Sequence, residues 1–140
     1  MRHAAWLAAV PADDSSTARV THPASPQSRG AQREAAGFAV DMPPLDAAAH
    51  LVDVLWQIGP SMPTGMGAVP ISFGEMQAWQ QQTGYALGSW EVRTLRRMSA
   101  AYVAQAEEAR QRDCPPPWLA KEAPREGAKT ARRIRAFLRD

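Results

Sequence analysis

Residues 70 to 102 read PISFGEMQAWQQQTGYALGSWEVRTLRRMSAAY, and the fold turns on this stretch. Ser72 and Glu75 stand three apart, the spacing of a capping box in which each side chain satisfies a free backbone N–H of the first helical turn. Ile71 before the cap and Met76 inside the helix have the spacing of a hydrophobic staple. The helix carries Met76, Trp79 and Gln80 and is expected to stop near Thr83, because Gly84 can take the left-handed conformation that closes a helix. Ser89 then reads as the cap of a second helix, with Glu91 placed on its N-terminal dipole. Val92, Leu95, Ser99, Tyr102 and Ala106 recur at spacings of three and four, the period of a one-sided helix. That helix is expected to run from Trp90 to about Arg112, before Cys114-Pro115-Pro116-Pro117 stops it.

Toward the N-terminus, a further helix is expected after Pro43-Pro44, since proline is tolerated in a first turn. Leu51, Val52, Leu55 and Ile58 make its apolar stripe, widened by Leu45, Ala48 and Trp56, and Gly59-Pro60 ends it. His50 and Asp53 lie one turn apart, but no neighbouring His or Cys completes a metal or acid–base set, so a solvated surface is expected. The intervening GPSMPTGMGAVP, residues 59 to 70, excludes a helix or a central strand. It lacks the lysine and Ser/Thr of a phosphate loop. Met62 and Met66 either offer adaptable apolar surface to a partner or fold back over the core. The expectation is an all-α fold, a small three-helix domain over residues 42 to 118.

Both ends differ from this middle. Residues 1 to 41 are dominated by Ala, Ser, Pro, Thr and Arg, with few large apolar side chains, and read as a flexible leader. Their opening MRHAAWLAAVPA has a positive start and a short apolar run, loosely like a signal peptide, but a dispensable leader fits better. Residues 119 to 140 form a basic tail. Seven Lys/Arg against three Asp/Glu in the last twenty residues place +4 there and −2 on the rest of a chain of formal charge +2. Ala131, Ile134, Leu138 and Phe137, ringed by arginines, would make a basic amphipathic helix suited to a membrane surface, a partner groove or a polyanion, or else a solvated end. The chain of 140 residues has room for one domain. Cys114 is its single cysteine, which excludes an internal disulfide and fits a reducing cytoplasm. No apolar run approaches a membrane span, so no membrane partner is expected.

No nucleophile–base pair, metal cluster or nucleotide motif stands in the sequence, so neither an enzyme nor a metal or cofactor is expected. Arg93, Arg96 and Arg97 lie off the apolar stripe as a basic patch. Trp56, Trp79, Trp90 and Trp118 cannot all be central in so small a core, and an indole left outside is the kind of group that anchors an interface. A small helical nucleic-acid-binding regulator, using the Arg patch and the tail, is the alternative. Its recognition helix would begin with Trp90 and Glu91, where base-reading helices present polar or basic residues.

The segment from about Met42 to Trp118 resembles the tail assembly chaperones of tailed phages and prophages. The carrying residues are Gly59-Pro60, MGAVPIS from Met66 to Ser72, EMQAW from Glu75 to Trp79 and the Thr83-Gly84 turn. They continue with WEVRTLRRMSAAYVAQ from Trp90 to Gln105 and DCPPPW from Asp113 to Trp118. The resemblance implies a small, largely helical, non-enzymatic protein of the host cytoplasm. Its partners would be the tape-measure protein, held soluble, and tail-tube subunits, recruited during assembly, with self-association and no specific nucleic acid. Met62, Met66, Trp79, Trp90, Arg93, Arg96, Arg97 and Trp118 are the candidate partner-binding residues. Such proteins tend to begin shortly before the Pro-Pro helix, so Met42 reads as an alternative start and residues 1 to 41 as an upstream addition. The family also uses programmed frameshifts that fuse this domain behind an upstream one, for which the leader is too short and alanine-rich.

Overall fold

Capping chemistry and apolar spacing place three helices where residues 42 to 118 lead one to expect them, with a hairpin and two further helices besides. The computed structural model describes residues 1–12, 27–45 and 47–119. In chain order these hold α1 (Arg2–Ala8), α2 (Arg29–Ala35), α3 (Ala49–Ile58), β1 (Met62–Thr64), β2 (Gly67–Val69), α4 (Phe73–Thr83) and α5 (Ser89–Glu108). The described residues are therefore mostly helical, and the expectation of an all-α three-helix domain is corrected by the two-stranded sheet and by α1 and α2.

The local chemistry of α4 follows its sequence closely. Ser72 Oγ accepts the Glu75 N–H at 3.1 Å, and Gly84 closes the helix at φ 70°, donating to the Gln80 carbonyl. Ile71 and Met76 are both buried in one cluster, as a staple requires. α5 starts at Ser89, its expected cap, and so one residue before its expected start. Gly88 is the capping residue and donates its N–H to Glu91 Oε2 at 2.7 Å, which leaves Ser89 as the first helical residue. α3 starts at Ala49, five residues beyond Pro44, because Ala48 stands in the left-handed region at φ 54° and breaks helical continuity.

Leu51, Val54 and Leu55 of α3, Ile71, Met76 of α4 and Leu95 of α5 form the main core. Three members of the expected stripe fall outside it, since Leu45 and Trp56 are exposed and the half-buried Val52 gives its place in the core to Val54. The strands pair antiparallel, Met62 with Val69 and Thr64 with Gly67, around the two-residue tip Gly65-Met66. Thr64 Oγ1 donates to the Gly67 carbonyl at 2.6 Å and accepts the Met66 N–H at 3.4 Å, fastening the tip. Ser99, buried on α5, accepts the Ile71 N–H at 2.9 Å and donates to the Pro60 carbonyl at 2.8 Å. One hydroxyl thus holds both ends of the hairpin segment against the long helix.

The flexible-leader expectation is corrected for the described part of residues 1 to 41. α1 packs on the C-terminal half of α5, where Trp6, Leu7 and Ala109 form a second buried cluster. Trp6 Nε1 donates to the Cys114 carbonyl at 2.9 Å, and the Ala12 N–H donates to the Arg110 carbonyl at 2.9 Å. Ser28 caps α2, which delivers the buried Arg29 to the end of α5. Arg29 donates to the carbonyls of Ala109, Gln111 and Arg112 while its guanidinium lies 5.0 Å from the Trp6 ring centre. These bonds satisfy carbonyls beyond the end of α5, which stops at Glu108 rather than near Arg112. The basic tail from residue 120 onward lies outside the described residues.

Candidate functional site

α5 turns Val92, Leu95 and Ser99 inward, and the helical period then sends Trp90, Arg93 and Arg97, spaced three and four, to the opposite face. Trp90 is 54% exposed. Phe73, the first residue of α4, is 58% exposed, because its neighbours Ile71 and Met76 take the core positions. Phe73 lines an open groove of about 280 Å³ with Arg93, Arg96 and Arg97.

The ion pairs among the described residues are Arg2–Glu108, His50–Glu91 and Arg110–Glu107, so the three groove arginines face no carboxylate there. Arg97 donates at 3.3 Å to Thr94 Oγ1, on its own helix. An exposed ring beside three uncompensated guanidiniums can bind apolar and anionic groups together.

The structure divides the sequence candidates. Arg93, Arg96 and Arg97 are brought around one groove, joined by Phe73, which sequence reasoning passed over, and Trp90 follows on the same face of α5 as Arg93 and Arg97. Met62 instead folds back on the main core, while Met66 is fully exposed at the hairpin tip. Trp79 is half-buried against the core, 5.4 Å from the Tyr85 ring. Trp118 is half-buried in a different cleft, edge-on to His3 at 5.3 Å.

That second cleft, lined among others by His3, Arg33, Asp41 and Trp118, holds about 40 Å³. This is room for a water rather than a metabolite. His3 is buried, stacks on Trp6 at 5.9 Å, and its Nδ1 has no hydrogen-bond partner among the described residues. Burial holds its pKa below the ordinary histidine value. Arg33 and the N-terminal ammonium push the same way, against a hydrogen bond to the Asp41 backbone. Sequence reasoning missed this cluster, although His3, Trp6 and Leu7 carry a helical spacing.

His50 pairs with Glu91 across the two helices at 3.0 Å, rather than with Asp53 one turn away. The Gly88 N–H, and then His50, hold the Glu91 carboxyl below its usual range. Among the described residues no group of three or more His, Cys, Asp or Glu is placed to hold a metal, and no helix is long and apolar enough to cross a membrane. No protein-family model, curated protein or solved structure matches the chain.

Proposed function

We propose that this chain is a non-enzymatic tail assembly chaperone of a tailed phage or prophage. In this reading it acts in the host cytoplasm, holding a tape-measure-like helical protein soluble and helping to recruit tail-tube subunits. The order and spacing of the landmarks from Gly59-Pro60 to Asp113–Trp118 support it. The structural observation that carries it is that two large rings, Trp90 and Phe73, stand exposed on the helical core, Phe73 beside Arg93, Arg96 and Arg97. Large rings left outside a small core bury much area at low entropic cost when a partner helix covers them. Several copies along one long helical protein would repeat that contact.

Co-expression with the long tail protein encoded beside this chain tests the reading. A soluble complex that forms with this chain and is lost without it is the expected result. Equal solubility with and without it, and no isolable complex, would remove the assignment.

The arginine cluster favours a second reading, a nucleic-acid-binding regulator. Against it, the described residues carry eight arginines and eight carboxylates, with no net positive field. DNA association is expected to be weak, abolished by salt and dependent on the tail from Lys121 to Arg139.

A further inference from the structure

We infer that the Phe73–Arg93–Arg96–Arg97 groove selects an acidic amphipathic helix, setting the partner's apolar residues on Phe73 and Trp90 and its carboxylates on the three guanidiniums. The inference rests on the chaperone reading for the partner's helical nature and adds the charge that the partner must carry.

Three arginines within five residues of one helix repel one another, and no carboxylate of the described chain relieves them. Each guanidinium offers a planar fork that matches a carboxylate, and desolvation by a neighbouring ring strengthens the pairing. From Trp90 to Arg97 the face spans about 10 Å, or two helical turns. A partner helix presenting acids at i and i+3 or i+4, with apolar residues beside them, meets both parts of the groove at once.

Charge complementarity here favours a peptide over a nucleic acid. The arginines are one short cluster on a neutral body, whereas a polyanion is held by positive charge spread along its length. Salt is therefore expected to weaken the complex without abolishing it, since the ring contacts are not screened.

The test uses the full chain and two labelled synthetic helical peptides of identical pattern, one of Leu and Glu, the other of Leu and Lys. Fluorescence anisotropy should show the Leu/Glu peptide binding at least about tenfold more tightly. The double variant Arg93→Glu/Arg97→Glu, whose positions are exposed, should keep the wild-type melting midpoint, lose about tenfold for Leu/Glu and gain for Leu/Lys. Equal binding of the two peptides, or binding of neither, overturns the inference. So does a short DNA duplex that binds more tightly than Leu/Glu and is lost in the same variant. The two proposals fail separately. If the charge-reversed variant still holds the long tail protein soluble, acid selection fails and the chaperone reading stands. If the wild type prefers Leu/Glu but never complexes the tail protein, the reverse holds.

Discussion

Ser99 is a small residue with a large structural part. As a member of the α5 stripe it reads from sequence as a core position, and it is fully buried. Its two hydrogen bonds, to the Ile71 N–H and the Pro60 carbonyl, depend on a chain reversal that no local pattern announces. Ser99→Ala leaves a buried N–H without a partner and should cost about 1–3 kcal/mol, read from urea unfolding; a loss near zero would mean that water replaces the hydroxyl. His3 gives a pH signature. Its folded pKa is lowered, so above about 6.5 both folded and unfolded chains carry it neutral, and its contribution is complete. As pH falls below that value the unfolded chain takes up a proton that the folded chain resists, and stability declines. The urea midpoint should therefore fall between pH 7.5 and 5.5 by more in the wild type than in His3→Gln. Equal falls in the two proteins would show that His3 is not the group responsible. Neither Arg29 nor His3 was legible as structural, because Arg29 acts on Ala109, 80 positions away, and His3 meets Trp118 from the other end of the described chain.

Among the elements, those specified by their own ends were readable and those specified by distant contacts were not. Ser72, Gly84 and the Ile71/Met76 staple each encode a local event, and α4 appears where they put it. Ser72→Ala should remove one cap and about 1 kcal/mol of stability, measured as a lower denaturation midpoint. The start of α3 was misplaced because Ala48 adopts a left-handed conformation that an alanine does not advertise. The hairpin was passed over because Pro63 and Pro70 argue against a strand, yet a three-residue edge pair tolerates proline. α1 and α2, at seven residues each, are too short to be stable on propensity and exist through their packing on α5. Truncating Trp6 to alanine should thus release α1. Hydrogen exchange of α1 amides should rise toward that of unfolded chain, with the α3–α4–α5 core still protected. Unchanged α1 protection would contradict the packing account.

The molecule as a whole is built on α5, whose N-terminal half serves the main core and whose C-terminal half serves the Trp6 cluster. Of the five tryptophans, Trp6 is buried, Trp79 and Trp118 are half-buried, and Trp56 and Trp90 are exposed, so sequence reasoning saw the surplus of indoles without seeing its distribution. That distribution separates stability from binding. Trp79→Ala removes packing from the core and should destabilise by about 2–3 kcal/mol. Trp90→Ala removes an exposed ring and should change stability by no more than about 0.5 kcal/mol. The central claim is the proposal that a helical tail protein docks on the exposed rings of Trp90 and Phe73. The most direct measurement is the amount of that protein co-purifying with the full chain, compared between the wild type and Phe73→Ala/Trp90→Ala at equal expression and matched melting midpoints. The account predicts at least about a tenfold loss of bound partner in the double variant; undiminished co-purification would contradict it.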